Sequence, residues 1–246
     1  MTQDERWRGS LTIGDGWAIL ESVAGANAPH ALLACQLTAC LDGQLELEFS
    51  GQTHTAPLGQ YAVIPSGVAH AVGPIGKRLR SIYLDRTAHA PSGLVQTASF
   101  GLAEPALSTA INANIGNGLP AALLRAPKSG NQQILSDHPL ISLLAFAPPA
   151  ATPKWVANSL GISASRLLQI SHSAFGAPIS HVLQWRQLQH AARALSESAS
   201  LAEAAEAGGF ADQSHFARRM RRWFGVAPGA GLSGLEIRVA PTASGC

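Results

Sequence analysis

The segment Ser200–Pro228, SLAEAAEAGGFADQSHFARRMRRWFGVAP, determines how the second half of this chain folds. Its first residues repeat apolar positions at helical spacing, and the glycine pair at 208 and 209 ends that helix. The residues that follow place Phe216, Met220 and Phe224 four positions apart, which gives a second helix one apolar face. The segment therefore predicts a short helix, a glycine turn and a second helix, the layout of a helix-turn-helix.

The predicted second helix is strongly basic on its other faces. It carries Arg218, Arg219, Arg221 and Arg222, which could meet a phosphate or a guanine edge. Taken alone, these arginines also fit a solvated cationic face on an ordinary surface helix. Residues 137–235 hold 8 Lys/Arg against 5 Asp/Glu, whereas residues 1–136 hold 8 against 9. The C-terminal block is thus the part of the chain whose charge is suited to binding a polyanion such as DNA.

A second motif of the same kind lies about 50 residues upstream. Thr152 and Pro153 form a helix start, Gly161-Ile162-Ser163 forms a turn and cap, and Ala164–Phe175 forms the next helix. Between the two motifs, Pro178–Ser198 predicts a helix of some 20 residues, about 30 Å long. Helices held that far apart can enter successive major grooves, one turn being about 34 Å.

The first part of the chain has the pattern of a small all-β unit. From Leu11 to Asp85, short apolar runs are broken by glycine and proline, and residues 45–49 alternate at period two. Glycines at 43, 51, 59 and 67 recur at the spacing of tight turns in a barrel or sandwich. Between this unit and the C-terminal block we expect two short helices, Glu104–Ile115 and Ala121–Arg125.

Composition narrows the class of protein further. The N-terminal MTQDERWRGS is polar and no apolar run approaches the length of a membrane span, so we expect a cytoplasmic protein associated with the nucleoid. Three cysteines cannot all pair, and none lies in a zinc-site spacing. Cys35 and Cys40 fit two buried structural thiols better than a chemical sensor, which stays as the alternative.

The C-terminal block, Asp137–Leu232, resembles the DNA-binding domain of the AraC/XylS family of bacterial transcription regulators. The likeness is carried by GGFADQSHFARRMRRWFGVAP and, upstream, by the run from Leu160-Gly161-Ile162-Ser163 to Phe175-Gly176. The resemblance implies base contacts from Gln213, Ser214 and Arg218, with Arg221 and Arg222 on phosphates and Arg219 in the same DNA-binding set. Asp212 fits a helix cap better than a DNA contact.

The same resemblance is looser in the first motif. It implies base-facing positions at Ser165, Leu168 and Gln169, with Arg166 and His172 nearby. Leu168 can contact only a thymine methyl, and the tyrosine and arginine that often follow the family's final proline are replaced by Gly229-Ala230-Gly231. We therefore expect weaker DNA affinity from the first motif than from the second.

The N-terminal unit shows a second resemblance. Gly59, Pro65, Gly67 and His70 follow the spacing G-x5-P-x-G-x2-H, similar to the second motif of cupin barrels, which many AraC-type regulators carry as a sensing domain. Metal-dependent cupins need further histidines and a glutamate, and the region around His30 has no H-x-H pair. His70 is therefore predicted to be structural or to line an effector site, and no metal or other cofactor is expected.

Together these observations predict a two-domain α+β protein. The expected parts are a cupin-like β-barrel sensing domain (1–90), a helical linker that could pair subunits (91–136), an all-α domain with two helix-turn-helix units joined by a long helix (137–235), and a tail (236–246). The expected partners are double-stranded DNA, a small-molecule effector, a second copy in a homodimer, and RNA polymerase if the protein is an activator. The alternative is a cupin-type metal-dependent enzyme with an appended helical domain.

Overall fold

The computed structural model describes residues 7–14, 16–25, 28–84, 100–114, 139–175, 177–225 and 234–240. The strands are β1 (Arg8–Gly14), β2 (Trp17–Val23), β3 (His30–Ala31), β4 (Cys35–Cys40), β5 (Leu45–Phe49), β6 (Gln52–Ala56), β7 (Ala62–Ile64), β8 (Ala69–Gly73), β9 (Arg78–Leu84), β10 (Gly101–Leu102) and β11 (Leu235–Val239). The helices are α1 (Pro105–Asn114), α2 (Pro139–Phe146), α3 (Pro153–Ser159), α4 (Ala164–Phe175), α5 (Ile179–Ser196), α6 (Leu201–Ala207) and α7 (Gln213–Phe224). The predicted division into a β-rich and a helical part is confirmed.

The N-terminal strands form two sheets around an apolar interior. One sheet has the order β10-β7-β4-β9-β2-β1-β11 and the other β3-β8-β5-β6. The period-two pattern of β5 gives this strand one buried and one exposed face, since Leu45 and Leu47 are buried while Glu46 and Glu48 are exposed. Three of the predicted turn glycines, at 51, 59 and 67, have φ values of 74°, 72° and 81°, which favour glycine. The likeness to a cupin barrel stays a prediction.

The helical part has two apolar cores that share the helix α5. Ile179, Val182 and Leu183, in the first turns of α5, pack with α2, α3 and α4. Trp185 and Leu188, further along α5, pack with α6, α7 and the N-terminal sheet. The long helix between the two motifs is thus confirmed, with 18 residues and a length of about 27 Å.

Residues 235–239, where the expected tail begins, form the strand β11. β11 pairs in parallel with β1, with Gly9 opposite Leu235 and Ile13 opposite Val239. The sequence Leu-Glu-Ile-Arg-Val alternates at period two, so it suits a strand at the edge of a sheet. The predicted domain boundaries remain proposals.

The cysteines and the connecting region bear on two further expectations. Cys35 and Cys40 are buried and unpaired with each other, and burial raises the pKa of the Cys35 thiol to about 11, which suits structural thiols. α1 confirms a helix within 104–115, whereas the second expected short helix, 121–125, lies outside the described residues. Among the described helices, none combines the length and apolarity needed to span a membrane.

Candidate nucleic-acid interface

The second helix-turn-helix is built from α6, a tight turn and α7. Ser200 and Glu203 form a reciprocal capping box at the start of α6. Asp212 caps α7 by accepting a hydrogen bond from the His215 N–H at 2.6 Å, which confirms its predicted role. In the turn, Gly209 has a φ of 70°, and a Cβ there would lie 2.7 Å from the backbone nitrogen of Ala150. Only glycine fits this position without displacing the chain.

α7 separates apolar and polar side chains onto opposite faces. The predicted apolar stripe is confirmed, because Phe216, Met220 and Phe224 are buried, and Trp223 joins them. The other face exposes most of the predicted DNA-binding side chains: Gln213, Ser214, Arg218, Arg221 and Arg222. No acidic residue lies in the first turn of α7, and Arg221 and Arg222 lie in its last turn. The exposed face is therefore polar at its start and cationic beyond it.

Arg219 differs from the other arginines of α7. Its side chain is half-buried, Nη1 donates to Gln184 Oε1 at 3.0 Å, and Nε donates to His215 Nε2 at 3.4 Å. Burial, followed by the charge of Arg222, lowers the pKa of Arg219. Its guanidinium is thus engaged within the protein, on α5 and on α7. Sequence reasoning missed this contact because Gln184 lies 35 positions away.

The first helix-turn-helix is built from α3 and α4. Thr152 accepts from the Trp155 N–H at 3.1 Å with Pro153 in the first turn, as predicted, and Ser163 Oγ accepts from the Arg166 N–H at 3.2 Å. The predicted DNA-binding side chains all lie on the exposed part of α4: Ser165, Arg166, Leu168, Gln169 and His172. Leu168 is 49% exposed, which is unusual for a leucine in a helix with a buried side.

The second helix-turn-helix packs directly on the N-terminal sheet. The hydroxyl of Tyr83 in β9 donates to the Phe224 carbonyl at 3.0 Å, and Trp185 Nε1 donates to the Gly14 carbonyl at 3.2 Å. The backbone of Leu33 donates to the Arg222 carbonyl at 3.2 Å. Trp223 is fully buried in the same apolar cluster as Leu11 and Leu20 of the sheet. Sequence reasoning did not predict this contact between the two parts of the chain.

His70, the predicted effector-lining residue, is buried near this contact. Its Nδ1 lies 2.9 Å from the Val68 carbonyl and its Nε2 lies 2.9 Å from Gln36 Oε1. Burial lowers the pKa of His70 to about 4, so the imidazole is neutral at pH 7. The His30 ring packs against it at a tilt of 52°, with the ring centroids 4.7 Å apart, and His30 also lies against Gly225 at the end of α7. Among the described residues, no group of three or more His, Cys, Asp or Glu could hold a metal ion.

Two helix-turn-helix units joined by one long helix define a DNA-binding domain of the double helix-turn-helix class. A family model described as a helix-turn-helix domain matches residues 156–232. These residues are an AraC-type helix-turn-helix domain, and the chain as a whole has the two-domain architecture of the AraC family regulator ToxT. It thus combines a helix-turn-helix domain with an N-terminal β domain.

Solved structures of ToxT from Vibrio cholerae are similar to this chain in fold. An apo variant has 9% sequence identity and a TM-score of 0.50, covering 88% of this chain and 97% of its own. ToxT from Vibrio cholerae O395 has 10% identity and a TM-score of 0.49, covering 87% and 95%. A third structure, of ToxT with bound unsaturated fatty acid, has 11% identity and a TM-score of 0.46, covering 82% and 88%. No curated protein sequence matches the chain.

Proposed function

We propose that this chain is a one-component transcription regulator in which α4 and α7 read double-stranded DNA at a promoter. The main support is the exposed face of α7, where polar and cationic side chains lie opposite a buried apolar face. A surface helix with a solvated cationic face would not need a second unit of the same kind. Here that unit is present at the other end of a helix about 27 Å long, close to one turn of duplex DNA, about 34 Å.

The side chains of α7 divide into base-reading and phosphate-binding groups. Gln213 can pair with adenine through its amide, and Arg218 can make a bidentate pair with guanine. Ser214, between them on the exposed first turn, can donate or accept a hydrogen bond. Arg221 and Arg222, in the last turn, are placed for phosphates. Arg219 holds α7 against α5 through its hydrogen bond to Gln184. We keep it among the DNA-binding residues, close to the phosphates.

α4 contributes a weaker contact. Ser165 and Gln169 can bond base edges, and Leu168 can lie against a thymine methyl. Arg166 bonds Gln169 Oε1 at 3.4 Å, a long contact that DNA can replace at small cost. His172, exposed in the last turn of α4, can meet a phosphate. With one arginine on this helix, we expect most of the affinity to come from α7.

The division of labour on α7 is testable by substitution. Arg218→Ala should weaken binding to the preferred site by about 1–3 kcal/mol and relax sequence preference there. Arg222→Ala should weaken binding to all sequences alike and reduce the salt slope by about 1. Lys77→Ala, an exposed cation before β9, is the charge control and should leave binding unchanged.

Gel-shift titrations on selected and random duplexes at several salt concentrations would measure these effects. Absence of any salt-sensitive, sequence-preferring binding by the unaltered protein would refute the DNA-reading function itself. Equal effects of Arg218→Ala and Arg222→Ala on both duplexes would refute only the assignment of roles.

We further propose that a small effector acts through the N-terminal domain. A ligand that shifts β1, β2 or β9 would shift α7 as well, because the two pack together through Tyr83 and Trp223. His70 remains the candidate effector-lining residue, through its ring contact with His30. We also propose that the protein forms a homodimer, that it acts in the cytoplasm at the nucleoid, and that it contacts RNA polymerase if it is an activator. Sedimentation at low and high protein concentration would test the dimer.

A further inference from the structure

The turn of the second helix-turn-helix lies directly against the first unit. A Cβ added at Gly209 would lie 2.7 Å from the Ala150 nitrogen and 2.8 Å from the Pro149 carbonyl carbon, so two stretches of backbone meet there. Ala150 lies in the connection between α2 and α3, and its neighbours Ala147 and Ala151 are buried in the core of the first unit. This contact therefore joins the two units a second time, in addition to the helix α5 that they share.

The two segments that meet are tight turns with well-fixed backbones. Gln187 of α5 donates from Nε2 to the Gly209 carbonyl at 3.2 Å, and a Cβ at Gly208 would lie 2.8 Å from the Gln187 carbonyl oxygen. On the other side of the contact, the Ala151 N–H donates to the Pro148 carbonyl at 2.9 Å. A displacement at the contact is therefore passed on to the units behind it.

The contact is close to the end of α7 that carries the proposed base-reading residues. Gly209 precedes Gln213, the first residue of α7, by four positions. A Cβ at Gly209 would be about 0.7 Å closer to Ala150 than 3.4 Å, where ordinary van der Waals contact begins. Hydrogen bonds hold their strength over a narrower range, about 2.7–3.2 Å. The position of this turn thus affects whether α4 and α7 can bond their bases at the same time.

The first helix-turn-helix has a glycine at the corresponding place, two residues after its first helix. Gly161 has a φ of 63°, close to the 70° of Gly209, so both turns have the left-handed backbone that favours glycine. A Cβ at Gly161, however, would meet no atom of the described residues within 4 Å. Backbone conformation is thus common to the two glycines, and the contact with the other unit is particular to Gly209.

We propose that the contact of Gly209 with Ala150 fixes the spacing between α4 and α7, so that the protein reads two half-sites at a single separation. A shared helix alone would join the units at one place, whereas a second contact also restrains their rotation about it. Gly209 is then a positioning residue, and the recognised DNA is a bipartite site with one fixed gap. This inference rests on the proposed function, since both helices must bind DNA.

The test uses the full chain and a duplex that it selects from a random library. Gln169→Ala and Arg218→Ala identify the segments that α4 and α7 read. Each base pair inserted between these segments moves them apart by about 3.4 Å and rotates them, so we expect the unaltered protein to bind such duplexes about tenfold more weakly.

Gly209→Ala should bind the selected duplex about tenfold more weakly and lose most of its dependence on spacing. Its affinity for a duplex with a scrambled α4 segment should stay within about twofold of the unaltered protein, because α7 itself is intact. Gly161→Ala, which has the same backbone strain without the contact, should keep the spacing dependence.

Gln187→Ala tests the same contact without introducing a clash. It removes the hydrogen bond to the Gly209 carbonyl and should reduce the spacing dependence about fivefold. Circular dichroism checks that each variant is folded, and Gln187→Ala decides the question if Gly209→Ala is not.

Full spacing dependence in both Gly209→Ala and Gln187→Ala, or an equal loss in Gly161→Ala, would overturn the proposal. Equal binding of the unaltered protein to every spacing would also overturn it and leave the DNA-binding function standing. Absence of sequence-preferring binding to any duplex would refute the proposed function together with this inference.

Discussion

Removal of one hydroxyl group, by Tyr83→Phe, should measurably loosen the second helix-turn-helix from the N-terminal sheet. Tyr83 is 2% exposed and donates to the Phe224 carbonyl at 3.0 Å. That carbonyl belongs to the last turn of α7, where carbonyls have no partner within the helix. The variant thus loses a hydrogen bond and leaves a buried acceptor unpaired, so we expect a loss of about 1–3 kcal/mol in the free energy of unfolding.

Tyr61→Phe is the matched control, because it removes the same group from a buried tyrosine that packs in a different apolar cluster from α7. Among the described residues, the Tyr61 hydroxyl makes only long contacts, 3.4 Å to Asn112 Oδ1 and 3.4 Å to Arg80 Nη1. Asn112 Oδ1 still accepts a 3.0 Å hydrogen bond from Arg80 in this variant, so it keeps a partner. We therefore expect the free energy of unfolding to fall by less than about 1 kcal/mol.

Urea unfolding followed by circular dichroism gives the free energies, and amide hydrogen exchange over residues 216–225 reports the local effect. We expect faster exchange in this segment for Tyr83→Phe alone. If Tyr83→Phe cost no more than Tyr61→Phe and left this exchange unchanged, the hydroxyl would not couple the two parts of the chain and the reasoning would be wrong.

Three further predictions concern single positions. Burial lowers the pKa of His70 from 6.5 to about 4. Its neutral imidazole therefore contributes up to about 3 kcal/mol to the free energy of unfolding above pH 6.5, and this contribution is lost as the pH falls toward 4. His70→Asn should flatten this part of the pH profile of stability measured by urea unfolding, and an unchanged slope would contradict the prediction. Gly225→Ala should destabilise the protein by about 1 kcal/mol more than Gly51→Ala. The two glycines have nearly the same φ, 72° and 74°, but only a Cβ at position 225 would meet another side chain, His30 at 2.7 Å. Equal melting temperatures of the two variants would exclude this clash. Asp212→Ala should cost about 1 kcal/mol and speed exchange at the His215 amide, and a protected amide would mean the cap is dispensable.

The local signals in the sequence were sufficient for most of the helical domain. Caps such as Thr152 and Asp212 and the glycine at 209 act through neighbouring backbone, so their effect can be read from adjacent residues. The apolar stripe of α7 follows in the same way from its helical period. Base-facing positions came from a resemblance, and the structure adds that they are exposed.

Long-range pairings could not be predicted. β11 has the period of a strand, but its partner is β1 at the other end of the chain, and five residues contain nothing that selects that edge. Trp185 and Trp223 fit the core of any helical domain, and only the fold shows them packed with Leu11 and Leu20 of the sheet. The Arg219–Gln184 bond likewise depends on tertiary geometry.

The two helix-turn-helix units differ in what holds them, and this bears on how a ligand could control DNA binding. The second unit shares a core with the N-terminal sheet, whereas the first packs in its own cluster, formed by α2, α3, α4 and the start of α5. A change in the sheet therefore acts on α7 directly, and it reaches α4 through α5 and through the close approach of Gly209 to Ala150. In the proposed binding mode both units fit grooves on one face of the duplex, so even a small shift of α7 relative to α4 would alter their joint affinity. Binding of α7 alone, measured on a half-site, should then respond less to an effector than binding of both units.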